Sequence, residues 1–145
     1  MMAVDAKSYL IKVTKEELLL KNKREYLLQL QEQLYSPKSS YSNLEKVQKS
    51  KENDLMGKAI SQIEEIREQI NDEIIAALKY KQEVISNLEK LKRVEYDFLY
   101  KKYIMGMDMQ EIANFYYRSY SWATTVHARA IKSLQKVLDE EECLK

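Results

Sequence analysis

Apolar residues recur along this chain at helical intervals. From about Ala3 to Tyr35, Val13, Leu20, Leu27 and Leu34 stand seven apart, and Leu10 and Leu30 widen the stripe. That periodicity predicts one helix over 3–35. The intermediate seam positions Glu17, Arg24 and Gln31 are polar. A strict two-stranded coiled coil carries apolar residues there, so the helix should pack on one partner with its seam only partly buried. A second stripe comprises Ile60, Ile63, Ile70, Ile74, Ala77, Val84, Leu88 and Leu91, with polar Lys81 interrupting and Ile66 and Leu78 on its flank. It predicts a helix from Asp54, a cap residue, to about Leu91, on the order of 55 Å long at the ordinary rise. An antiparallel helical hairpin of these two helices accounts for both stripes. Enough apolar surface remains for a second copy, so a homodimer through this coiled-coil-like arm is expected.

Residues 36–53 separate the two helices as a linker. Ser36-Pro37 blocks helix continuation, and Ser39, Ser40, Ser42 and Asn43 form turns. With Lys46, Lys49 and Lys51 among them, the segment reads as a solvated loop.

From Val94 to Leu138 the pattern tightens. Phe98, Leu99 and Tyr103 form one helical face, and Gly106 follows as a left-handed C-cap. Asp108 is placed to N-cap the next helix, with Glu111 completing a capping box. That helix is short and buries Met109, Ile112, Ala113 and Tyr116. Tyr117-Arg118-Ser119 breaks it, and Ser119 caps a longer helix. The longer helix turns Ala123, Val126, His127, Ala130 and Leu134 inward. Two helices joined by a tight turn predict a helix-turn-helix whose second helix is offered to the major groove. Leu91-Lys92-Arg93 is the joint to the arm.

The chain therefore reads as all-α, divided into a helical hairpin arm over 1–91, a helix-turn-helix domain over 92–138 and an acidic tail over 139–145. Two Gly and one Pro in 145 residues, with 32% charged, suit long helices with few turns. The net charge of +1 hides an asymmetry. Between Lys92 and Leu138 eight cations face four carboxylates, a net of +4 that suits a modest phosphate-contacting surface. Asp139, Glu140, Glu141 and Glu142 partly cancel it.

Little points to catalysis or to a bound cofactor. The single His127 and single Cys143 are far apart for a nucleophile pair and too few for a metal site. Glu64-Glu65 and Asp72-Glu73 are adjacent pairs that diverge around a helix and read as solvated face. No Gly-rich phosphate loop is present. A lone cysteine fits a reducing cytoplasm, and neither a membrane span nor a secretory signal is expected. The expected protein is non-enzymatic.

The residues Glu111-Ile112-Ala113, the capping Ser119, and the run from His127 through Arg129-Ala130 to Leu134 resemble region 4 of bacterial sigma factors. The resemblance is closer to phage-encoded sigma-region-4-like regulators, the late-gene activators of ArpU and RinA type. It extends weakly upstream through Val47-Gln48-Lys49-Ser50 and Asp54. It implies a DNA-binding transcriptional regulator, encoded by a phage or prophage, that contacts RNA polymerase. One departure is notable: the family's turn usually contains Gly, and Tyr117 stands in that region here, so either the turn is distorted or Tyr117 takes a strained backbone.

On this reading the outward face of the second helix offers Tyr120, Ser121, Thr124, Thr125 and Ala128 to base edges, with Trp122 in the first turn stacking on sugar or a thymine methyl. Arg118, Arg129 and Lys132 are placed for phosphates. No Arg or Lys stands in the first turn to bind guanine, so an A·T-leaning or shape-dependent preference is expected. The rival is a protein-interaction adaptor in which the same helices bind another protein.

Overall fold

The computed structural model describes residues 4–35 and 49–144, with side chains from residue 54 onward in the second stretch. Among the described residues all regular structure is helical: α1 (Ala6–Tyr35), α2 (Lys49–Leu88), α3 (Arg93–Leu99) continuing into a π-helical turn (Tyr100–Ile104), α4 (Met109–Phe115) and α5 (Tyr120–Leu144). Helix α2 begins five residues before Asp54, which lies inside the helix and caps nothing. It ends at Leu88, three residues short of the expected limit. The linker expected over 36–53 falls, as far as residue 48, outside the described residues. Asp139–Leu144 is the last stretch of α5, so the acidic segment continues the helix.

Two compact units divide the chain: residues 18–76 form one, and residues 1–17 with 77–145 form the other. These units do not follow the expected division at Leu91. In the smaller unit, Leu20 and Leu34 of α1 and Ile63 and Ile70 of α2 are buried. Lys23 joins Glu73 across the helices at 2.7 Å. Both expected stripes are present here, thinned to a partly covered seam. Arg24 is exposed and Leu27 only half-buried. Ile60, placed in the stripe by its spacing, is exposed, as are Leu18, Leu19, Leu28 and Ile75.

The larger unit holds the continuous core. Ala6, Tyr9, Leu10 and Val13 of α1 and Val84 and Leu88 of α2 meet Phe98, Leu99 and Tyr103, then Ile112 and Ala113 of α4, and Ala123, Val126, Ala130, Leu134 and Leu138 of α5. Here α1 and α2 run antiparallel: the Asn87 amide donates to the Tyr9 hydroxyl at 2.7 Å, and farther along α1 Glu17 pairs with Lys81. The start of α1 is fastened by groups from both ends of the chain. Asp5 accepts the Ser8 N–H at 3.0 Å, which also holds its carboxyl below the usual range. The Gln135 side chain accepts the Ala6 N–H at 2.8 Å and donates to the Val4 carbonyl at 2.7 Å. The Ala6 N–H is one of the backbone donors that a helix start leaves unpaired. Asn87, buried in the core, is surrounded by polar partners: Tyr9, Lys90 at 3.2 Å, and a Lys90–Glu141 ion pair at 2.8 Å.

Candidate nucleic-acid interface

The interface is assembled by a succession of local stops and starts. After α3, the Met105 N–H reaches back five residues to the Tyr100 carbonyl at 3.0 Å, a π turn. Gly106 then takes φ 78, the left-handed conformation that a residue without Cβ adopts most cheaply. Asp108 caps α4, accepting the Glu111 N–H at 2.8 Å, and that bond lowers the Asp108 pKa. The Asp108 cap is as expected, while the return bond from the Asp108 N–H to the Glu111 side chain that would complete a capping box does not form among the described residues. Helix α4 buries Ile112 and Ala113, with Met109 and Tyr116 half-buried beside them.

The turn into α5 is a Schellman motif. The Arg118 N–H bonds to the Ala113 carbonyl at 2.8 Å and the Tyr117 N–H to the Asn114 carbonyl at 3.1 Å. The motif requires a left-handed residue between them, and Tyr117 supplies it at φ 55. The position usually filled by Gly is thus held by a tyrosine, as its place in the sequence suggested. Ser119 then caps α5, accepting the Trp122 N–H at 3.1 Å.

Helix α5 buries Ala123, Val126, Ala130, Leu134 and Leu138. His127 sits at the core edge between the rings of Phe98 and Tyr103, its Nε2 2.7 Å from the Tyr103 hydroxyl. Burial pushes the Tyr103 phenol up to about 12, so it remains a donor at neutral pH. Burial also lowers the His127 pKa, as do the charges of Lys102 and Lys7. The neutral ring and the phenol share this hydrogen bond at the edge of the core.

The expected contact residues divide into two groups. Tyr120, Ser121, Thr125, Ala128, Arg129 and Lys132 are exposed, as is Arg118 before the helix. Ser121, Thr125, Ala128, Lys132 and Lys136 follow one another at three- and four-residue steps and share the face opposite the core. Lys136, missed by the sequence reading, extends that face by another turn.

Trp122 is half-buried. Its ring lies 5.3 Å from Tyr116 and 6.3 Å from Phe98, half-buried against the core, and the Arg118 guanidinium covers it at 5.8 Å. A large apolar ring beside an incompletely covered core gains more from burial than from exposure. Thr124 is half-buried at the margin. The Thr124 and Thr125 hydroxyls both donate to the Ser121 carbonyl, at 2.9 and 3.0 Å. With those protons committed to the helix, Thr125 offers a groove its oxygen as acceptor and its methyl group.

The electrostatics of this region follow from a gap in the sequence. Residues 112–138 contain no Asp or Glu but hold Arg118, Arg129, Lys132 and Lys136. None of these four takes part in an ion pair among the described residues. Lys101, counted in the basic patch from sequence, is instead paired with Asp97 at 2.9 Å and lies over Phe115 at 4.4 Å. Among the described residues Lys92, Arg93 and Lys102 are also without an ion pair, so the four cations of α5 and the turn before it are part of a wider basic surface.

Among the described residues there is no cluster of His, Cys, Asp or Glu that could hold a metal, and no helix long and apolar enough to cross a membrane. Comparison of the chain with protein-family models, with curated proteins and with solved structures gives no match.

Proposed function

We propose that the chain is a sequence-specific DNA-binding transcriptional regulator in which α4, the Tyr116–Ser119 turn and α5 act as a helix-turn-helix, with α5 in the major groove. The observation that carries this reading is the outward face of α5. From Tyr120 to Leu138 it is free of carboxylates, and it combines small or adaptable groups at Ser121, Thr125 and Ala128 with cations at Arg129, Lys132 and Lys136 that are unpaired among the described residues. Small groups admit close approach to base edges, while the cations reach phosphates and set the register. The capped, αL-linked helix pair supplies the rigid mounting such contacts need. The resemblance to sigma region 4 agrees with this reading and adds a phage or prophage setting, cytoplasmic location and contact with RNA polymerase. The exposed Leu18, Leu19, Leu28 and Ile75 on the smaller unit support homodimerisation there.

The test is selection of duplexes from a random pool, followed by a salt titration on the enriched site. Four phosphate-directed cations per protomer predict a log–log salt slope of about −4. No enrichment, together with affinity indifferent to salt, would sink the proposal. The adaptor reading has its own supporting observation, the exposed apolar side chains of Val94, Met105 and Phe115. It predicts capture of a protein with little salt dependence.

A further inference from the structure

We propose that Tyr117 is a DNA-backbone contact whose hydroxyl donates to a phosphate beside the site occupied by α5. The proposal rests on the DNA-binding reading above and adds a residue outside the reading face.

Three observations converge on it. Tyr117 holds φ 55 at the Schellman position where glycine fits without steric cost, so its side chain stands there against the backbone preference. Among the described residues no side-chain contact of Tyr117 offsets that strain. The residue is 95% exposed, and among the described residues its side chain makes no hydrogen bond, ring pair or cation contact. Left-handed strain at a residue that returns no burial points to a use outside the folded chain.

The surroundings identify that use. Arg118, Ser119 and Tyr120 are exposed beside it, and the nearest acid earlier in the chain is Glu111, at the far end of α4. A cationic, carboxylate-free turn attracts an anion and repels a basic surface. Tyrosine hydroxyls are among the donors that proteins place on phosphate oxygens. Tyr117 precedes α5 and lies off the ladder of Ser121, Thr125, Ala128 and Lys132. It therefore meets the backbone flanking the groove and not the base edges within it.

The experiment compares the full chain with Tyr117→Gly and Tyr117→Phe, and with Arg129→Ala as control. Affinity is measured on the selected duplex and on a random duplex across a salt series. Tyr117→Phe keeps the strained turn and the ring but loses the hydroxyl. Both Tyr117 variants should bind each duplex about tenfold more weakly, the worth of a hydrogen bond to a charged group. The salt slope should be unchanged, because a neutral donor releases no counterion. Melting of Tyr117→Gly should be unchanged or raised. Weakening in Tyr117→Gly alone would overturn the proposal, since turn flexibility and not the hydroxyl would then be responsible. Loss of affinity for a protein partner with none for DNA would also overturn it. If the unaltered chain binds, Arg129→Ala lowers its slope and neither Tyr117 variant weakens binding, the Tyr117 contact falls and the DNA reading stands. If the unaltered chain shows no salt-steep binding to any duplex, both fall together.

Discussion

Replacing Tyr117 by glycine and by alanine separates backbone strain from side-chain contacts. A non-glycine residue in the left-handed region costs about 1–2 kcal/mol. Tyr117 incurs that cost at φ 55, and alanine would incur it equally. The ring is 95% exposed, so truncation to alanine forfeits almost no burial, and Tyr117→Ala should lie within about 0.5 kcal/mol of the parent. Glycine removes the left-handed cost but gives the unfolded chain extra freedom worth roughly 0.4–1 kcal/mol. The difference leaves Tyr117→Gly more stable than Tyr117→Ala by roughly 0.5–1 kcal/mol, a few degrees in Tm for a chain of this size. Urea unfolding followed by tryptophan fluorescence is the suitable assay. The single tryptophan, Trp122, lies against Phe98 and Tyr116 in the unit that contains the turn. A glycine variant no more stable than the alanine variant would show that residue 117 is not held left-handed in solution.

Removing all residues before Lys92 should leave a chain without a circular-dichroism melting transition. The fragment loses Leu10, Val13, Val84 and Leu88, buried in the core it would have to keep. At about 1.5–3 kcal/mol for each side chain, that loss rivals the stability of a whole domain. A cooperatively melting 92–145 fragment would refute the shared core. On the reading face, Thr125→Ala should cost about 1–3 kcal/mol on the selected site and little on random DNA. Arg129→Ala should weaken both alike and flatten the salt slope by about one unit, and fluorescence anisotropy of labelled duplexes distinguishes the two patterns. The His127 pKa is lowered in the folded state, first by burial and then by Lys102 and Lys7. Its contribution is therefore fully present above about pH 6.5, where both states are neutral. It is lost as pH falls below that value and the unfolded chain takes a proton the folded one resists. Urea midpoints should drop from pH 7.5 to 5.5 more steeply in the parent than in His127→Gln, and equal drops would remove His127 from the account.

Several features of this protein are set within a few residues of chain and are legible without coordinates. Asp108 and Ser119 cap their helices because a short polar side chain reaches the N–H three residues on, whatever lies elsewhere. Gly106 turns left-handed for an equally local reason. The inward ladder of Ala123, Val126, Ala130 and Leu134 follows from 3.6 residues per turn. Tyr117 stood out through the resemblance alone, since the resembling turns usually carry Gly where this chain has a tyrosine. Partner choice is a different matter, since an apolar stripe states that it will be covered and not by what. The stripes of α1 and α2 were equally consistent with a separate arm. Only the tertiary structure joins Leu10, Val13, Val84 and Leu88 to the core of α3, α4 and α5. The same limit explains Trp122, whose ring turned inward because Phe98 and Tyr116 left a surface for it. It also explains Gln135, whose partners lie at the opposite end of the chain. Caps and periodicity act along the sequence, whereas burial is decided among surfaces that folding alone brings together.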